Sequence, residues 1–297
     1  MIMINHNLRI FLSVAETGSF TATAEEFFIS QPAISRAIKS LEEELKVKLF
    51  DRDKRRGLIL TDAGQKILPL ARQMADVENR IYQTAFRENN FLGGRVRIAS
   101  MPILSSMILS QVFHDFRERY PFVTLELMEG STPEIRRAVE EHQVDLGFTA
   151  SPFGDLDAEV VLQDRMVAIS KEPLTDIPID LRKGAERFIL CRAGYETVLE
   201  ELRPEHIKLH DSFIVQQAET VIHFVQQENG IGVISEFVLE ATPNTLKRFQ
   251  ISPEIRMDIG IVANDLKDLP PVAAELVHMI RAQCGIFNAG KGVHSSG

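Results

Sequence analysis

The chain has 297 residues, of which 44% are hydrophobic and 25% charged, and a formal net charge of -9. This is the composition of a globular protein with room for two or three domains. No apolar run approaches the ~18 residues of a membrane span, and the opening MIMINHNLRIF lacks the marks of an export signal, so a cytoplasmic protein without a membrane partner is expected.

Cys191 and Cys284 form no CxxC pair and read as free thiols, and the eight histidines show no HExxH spacing. No metal and no cofactor are expected. The acidic charge is uneven. Gln31 to Leu58 holds eight Lys/Arg against five Asp/Glu, whereas Thr61 to the end holds 24 against 34. Phosphate binding depends on the local balance, so the early segment can bind DNA while the remainder repels it.

Leu8, Phe11, Leu12 and Ala15 repeat at helical spacing, and Gly18 can end that helix. Ser19 or Thr21 caps a second helix, expected to reach Phe28, with small Ala22 and Ala24 where another helix can approach. Ser30 reads as the N-cap of a third, with Pro32 in its first turn. Two helices joined by about three residues outline a helix-turn-helix. In SQPAISRAIKSLEEEL, counted from Gln31 at about 100° per residue, Ser35, Lys39, Pro32 and Arg36 fall between roughly 40° and 140°. Ile34, Ile38, Leu41 and Leu45 gather on the other side as an apolar seam. Arg can read guanine, Gln adenine, and Ser a phosphate or base edge, so the polar side suits the major groove. Leu49-Phe50 and Leu58 to Leu60 then read as two strands around a basic turn, Lys54-Arg55-Arg56-Gly57. Its Arg52, Arg55 and Arg56 suit phosphate or minor-groove contact.

The succession LRIFLSVAETGSFTATAEEFFISQPAISRAIKSLEEELKVKLFDRDKRRGLILTDAG resembles the DNA-binding domain of LysR-type transcriptional regulators over about sixty residues, with GSFT, SQPAISRAIKSLEEEL, LF-R and LT-AG at family spacing. The resemblance implies that Thr21, Gln31, Pro32, Ser35, Arg36 and Lys39 contact the groove or the backbone of double-stranded DNA. Three positions depart from the family. Thr23 stands where Ala is usual, and Phe27 and Phe28 replace aliphatic and polar residues, changes expected to alter packing behind the reading helix.

Thr61 can cap a long helix from Asp62, in which Ile67, Leu70, Met74, Val77 and Ile81 make an apolar seam for a partner helix or for packing on the chain's own domain. Pro69 should kink it or loosen its early turns. The resemblance makes this the dimerisation helix of a homodimer or homotetramer, with partly palindromic DNA sites. Asn89-Asn90 and Gly93-Gly94 end it. A winged helix-turn-helix over 1–60 and a linker over 61–92 are therefore expected.

From Arg95, strands and helices alternate as RVRIAS, TLELM and VDLGFT with helices between, and a second alternation runs through RFILC and GIGVIS. The expectation is a two-lobed α/β body over 93–287, with one lobe at about 93–163 and 263–287 and the other at about 164–262. Ligands of such sheets lie beyond the carboxyl ends of strands. Those ends are Ser100-Met101-Pro102, Gly130-Ser131-Thr132, Thr149-Ala150-Ser151, Arg192 and Ile234-Ser235, whose hydroxyls and Arg suit a small anion, although each Ser or Thr alone reads equally as a helix cap. The layout resembles the LysR effector-binding domain, similar to type 2 periplasmic binding proteins, with Ile234-Ser235 in place of a usual Leu-Pro. The tail 288–297 is small, polar and expected to be disordered.

The leading expectation is a DNA-binding transcription regulator controlled by a small effector, with RNA polymerase as a further implied partner. A regulator answering to a protein partner or a redox signal is the alternative. Catalysis is not expected. Ser100, His114, His210 and Asp145 supply triad residue types, but there is no GxSxG elbow and no GxxxxGK[ST] loop. A transport binding protein would lack the helix-turn-helix.

Overall fold

The computed structural model describes residues 6–53, 57–88, 93–175, 177–182, 187–192, 194, 198 and 212–294. The head comprises α1 (His6–Thr17), α2 (Phe20–Glu26), α3 (Gln31–Leu45), and the antiparallel pair β1 (Phe50–Asp53) and β2 (Gly57–Leu60). Its core gathers the apolar face of each element: Ile10, Phe11 and Val14, then Ala24, then Ile34, Ile38 and Leu41, closed by Leu49 and Phe50. The α3 seam stops at Leu41, and Leu45, expected to continue it, is exposed. Beyond it Lys46 adopts a left-handed conformation (φ 57°), and Glu42 Oε1 accepts from the Leu49 and Phe50 N–H groups at 2.7 and 3.3 Å. The helix end is thereby tied to the first wing strand.

The second helix is shorter than its pattern predicts. It ends at Glu26, because Phe28 turns left-handed (φ 54°) and the Ile29 N–H closes on the Ala24 carbonyl at 3.0 Å. Ser19 is its cap, accepting from the Ala22 N–H at 3.3 Å. Thr23 and Ala24, rather than Ala22, face inward. The unusual Thr23 is accommodated by hydroxyls, with Thr17 Oγ1 at 3.0 Å and Ser13 Oγ at 3.2 Å, and Ser13 donates to Glu26 at 2.6 Å.

Helix α4 (Asp62–Glu88) begins at Thr61, whose Oγ1 accepts from the Gly64 N–H at 3.0 Å and donates to the Lys48 carbonyl at 2.6 Å. It runs unbroken through Pro69. Leu68 and Ala71 are buried in the head core with Ile67 packed against it, so Ile67, expected in a partner seam, serves its own domain. Leu70, Met74, Val77 and Ile81 remain 48% to 61% exposed. Further along, α4 lies on the body. Gln83 is fully buried, donates to the Arg95 carbonyl at 3.2 Å and accepts from the Val272 N–H at 3.2 Å, and Arg80 pairs with Asp268.

The body contains β3 (Gly94–Ser100), α5 (Pro102–Leu104) continued by a π-helical turn into α6 (Ser110–Arg119), β4 (Val123–Glu129), α7 (Thr132–Glu140), β5 (Leu146–Ala150) and β6 (Asp157–Ser170). There follow β7 (Ile179–Asp180), β8 (Phe188–Cys191), β9 (Phe213–Val215), α8 (Ala218–Gln226), β10 (Ile231–Ser235), α9 (Glu236–Ala241), β11 (Lys247–Phe249), β12 (Ile251–Ser252), β13 (Arg256–Ala263) and α10 (Pro271–His294). The main sheet has the order β4-β3-β5-β13-β6-β10-β8-β9, with β11 also on β6. Parallel β4-β3-β5 form one lobe and parallel β10-β8-β9 the other.

Two antiparallel strands cross between the lobes. The long β6 pairs with β13 over Asp157 to Arg165 and with β10 over Met166 to Ile169. Strand β13 is back on β5 by Ile259, a few residues before the expected 263 boundary. Helix α10 continues to His294, through the start of the stretch expected to be disordered at Asn288, because extending a packed helix adds one bond per residue fixed. No described helix is long and apolar enough to cross a membrane. The expected helix near Tyr195 to Leu202 lies largely outside the described residues.

Candidate nucleic-acid interface and interlobe cleft

In α3 the burial pattern separates two faces. Ile34 and Ile38 are buried, while Gln31, Pro32, Ser35, Arg36 and Lys39 are all exposed. Pro32 sits in the first turn, where its missing N–H costs nothing, and the Ser30 carbonyl accepts from the Ala33 N–H at 2.8 Å. Arg36 Nε rests on the Pro32 carbonyl at 3.3 Å, and Lys39 pairs with Glu43 at 3.6 Å in solvent. Thr21 is exposed at the start of α2. The expected hydrogen-bonding and cationic groups of α3 are therefore all exposed, on the side away from its buried seam. Arg52 lies on β1 opposite Leu58; Lys54, Arg55 and Arg56 fall outside the described residues.

Between the lobes lies a cleft of about 720 Å³, floored by the crossing strands and rimmed by strand ends from both sides. Of the expected ligand residues, Met101, Pro102, Gly130, Ser131, Thr132, Ser151, Arg192, Ile234 and Ser235 line it. Ser100 and Thr149 do not; both are fully buried one layer behind. Thr149 Oγ1 lies 2.9 Å from Thr132 Oγ1, and Ser100 supports the wall by accepting the Gly130 N–H at its carbonyl, 3.1 Å away.

The hydroxyls are largely engaged in holding the walls. Ser131 donates from both N and Oγ to Glu134 (2.8 and 2.7 Å), and these hydrogen bonds draw the Glu134 carboxyl below its ordinary range. Ser235 Oγ bonds Asp164 and accepts from the Val238 N–H, and Ser151 Oγ accepts from the Asp258 N–H at 3.1 Å. Cationic character comes from Arg192, exposed on the second lobe, and from Arg136 on the first. Arg136 donates from Nη1 to the Pro152 carbonyl at 3.1 Å, whereas its buried Nε has no partner among the described residues.

Several lining residues were missed by the strand-end rule. Gln216 and Gln217 follow β9 and obey the rule at a strand end outside the five expected. Asp164, Met166 and Met257 belong to the crossing strands and carry no such signal. Asp164 is almost wholly buried, accepting from the Phe237 N–H at 3.0 Å. Cys191 also lines the cleft, its sulfur accepting from the Gly194 N–H at 3.3 Å, whereas Cys284 is fully buried and burial pushes its thiol up to about 12. The described triad residue types are engaged locally or buried. Asp145 binds Arg97, His114 faces Glu118 on α6, Ser100 is buried, and His210 lies outside the described residues. Among the described residues there is no cluster of three potential metal ligands.

Comparison with known proteins agrees with this geometry. Residues 6–65 match the bacterial regulatory helix-turn-helix protein, lysR family, and residues 89–285 match the LysR substrate binding domain. The chain is 40% identical over 287 residues to the HTH-type transcriptional regulator YoaU of Bacillus subtilis, covering 95% of this chain and 99% of that protein. In fold it is similar to full-length OxyR from Pseudomonas aeruginosa (TM-score 0.73, 19% identity, 96% and 95% of the chains). It is also similar to full-length CbnR in complex with its target DNA (TM-score 0.60, 20% identity, 95% and 100%). The chain belongs to the LysR family of transcriptional regulators.

Proposed function

We propose that the chain acts in the cytoplasm as a homodimeric or tetrameric promoter-binding regulator, switched by a small anionic effector held between its two lobes. The observation that carries the DNA half is the exposed row Gln31, Ser35, Arg36 and Lys39, set opposite a buried seam at the N-terminal end of α3. A helix so placed can enter the major groove, where Arg and Gln read base edges bidentately. The similar fold of CbnR in its DNA complex supports that docking.

The effector half rests on the cleft. Arg192 and Arg136 approach from opposite lobes, and α7 and α8 begin at its rim with Thr132 and Ala218, presenting the positive ends of their dipoles. An effector shifts the equilibrium only if it binds one arrangement of the lobes more tightly than the other. RNA polymerase is the partner through which promoter binding would change transcription.

The test is binding of the full chain to duplex DNA from upstream of its own gene and the neighbouring gene, against a scrambled duplex at two salt concentrations. Salt-sensitive preference for the native duplex is expected. Arg36→Ala should relax base preference, whereas Arg55→Ala should weaken all duplexes alike and reduce the salt slope by about one. Identical behaviour of the two variants would refute the division between reading helix and wing.

A further inference from the structure

We propose that Phe28 is a specificity contact, its ring resting on the C5 methyl group of a thymine at the edge of the base pairs that α3 reads. This rests on the DNA-binding reading of α3 and extends it to a residue outside that helix.

Phe28 is 95% exposed, the highest value of any large apolar side chain among the described residues. Its backbone is left-handed at φ 54°, a region that bulky residues rarely adopt. The position closes α2: the Phe28 N–H reaches the Glu25 carbonyl at 3.2 Å, and the Ile29 N–H reaches that of Ala24 at 3.0 Å. Helices usually place Gly or Asn at such a site, because the left-handed turn then carries little steric penalty. The folded head thus holds an aromatic ring in a strained position and buries almost none of it. Neighbouring Phe27 behaves differently; it packs on the head core and lies 6.1 Å from the His6 ring. The expectation that both phenylalanines pack behind the reading helix is correct for Phe27 alone.

The location says what could cover the ring. Phe28 lies three residues before Gln31, in the turn that leads into α3, and the intervening Ile29 and Ser30 are also exposed. An unbroken run of exposed residues thus joins Phe28 to the first residues of the exposed row on α3. The major groove offers one apolar feature to such a ring, the thymine methyl, and Phe is among the side chains suited to it. A left-handed turn that holds the ring clear of the protein leaves it available at the groove rim without rearrangement.

The test uses the full chain. A duplex is first selected from a randomised pool by the wild-type protein. Each thymine is then replaced singly by deoxyuridine, and affinity is measured for wild type, Phe28→Ala and Phe28→Gly at two salt concentrations, alongside thermal unfolding. At one position, loss of the methyl should weaken wild type about fourfold, the effect of burying one such carbon, and leave Phe28→Ala unchanged. Phe28→Gly should unfold at a higher temperature than wild type while binding the selected duplex more weakly. The salt slope should not move, because the ring neutralises no phosphate and its loss leaves the number of released counterions unchanged. No thymine-specific loss, or the same loss in both proteins, overturns the proposal. So does an altered sedimentation mass in either variant, which would place the ring against a second copy of the chain. A pool that yields no bound duplex would instead refute the DNA reading itself, before Phe28 is tested.

Discussion

Arg97 on β3 and Asp76 on the linker helix are joined by a 2.5 Å hydrogen bond, and the same guanidinium nitrogen reaches Asp145 at 2.7 Å. Arg97 also donates to the His142 carbonyl at 3.1 Å, and its own N–H is held by Asp145 Oδ2 at 2.7 Å. All three charged side chains are largely buried. One cation thus fastens the helix that carries the head to the lobe that forms one wall of the cleft. Burial disfavours the Arg97 charge, but Asp145 and Asp76 more than compensate and hold it firmly protonated.

Arg97→Ala would leave two buried carboxylates without their cation. Breaking such a group by removing one partner costs about 3–5 kcal/mol, so the variant should show a much lower denaturant midpoint. A loss below about 1 kcal/mol, the range of exposed ion pairs, would mean that water already screens this junction.

The same junction predicts a pH dependence. Burial raises the Asp76 carboxyl above its ordinary 3.8, against the opposing pull of Arg97. A carboxyl raised in the folded state binds its proton more tightly there than in the unfolded chain, so its contribution is fully present below the unfolded value and fades as pH rises through the folded one. The stability of wild type relative to Asp76→Asn should therefore be greatest at about pH 3.8 or below and decline as pH rises, levelling off once Asp76 is ionised. Unfolding of both proteins across the acid range checks this, and a difference that grew with pH would show that the ion pair outweighs desolvation.

The pattern of the chain makes local periodicity legible and long-range partnership much less so. The two faces of α3, the Thr61 cap and most of the cleft rim follow from helical spacing, capping chemistry and the strand-end rule. Ile67 shares the spacing of Leu70 and Met74, and only the three-dimensional approach of the head separates it from them. Asp164 and Met257 enter the cleft from crossing strands, where nothing in alternation distinguishes floor from core. The Asp76–Arg97 bond joins residues 21 positions apart in different domains, and no local rule pairs them.

Gly64 tests how closely the linker must approach the wing. A Cβ built there would lie 2.3 Å from the Leu49 carbonyl oxygen and 2.9 Å from Leu60 Cδ2. The first obstacle is backbone, so α4 would have to move away from the strand. Gly64→Ala should destabilise the head by about 1–3 kcal/mol, as overpacking does, and weaken DNA binding although Gly64 is not on the reading edge. Hydrogen exchange should locate the loss in residues 6–71 and leave the body sheet protected; uniform loss would mean that head and body unfold as one.

Leu70, Met74, Val77 and Ile81 form an exposed apolar stripe along α4. Its steps of four, three and four residues keep it on one side of α4, away from Leu68 and Ala71 in the head core and from Gln83 in the body contact. A stripe of this kind suits a second copy of the same helix. Leu70→Asp combined with Val77→Asp would place four carboxylates in a twofold seam and change nothing inside the protomer, since both side chains are already solvent-facing. Sedimentation should show wild-type dimers or larger assemblies becoming monomers, with the unfolding midpoint of the body retained. Binding to a duplex with two half-sites should fall far more than binding to one half-site, because the second contact is no longer intramolecular. An unchanged sedimentation mass would move the principal assembly contact off α4 and onto the body.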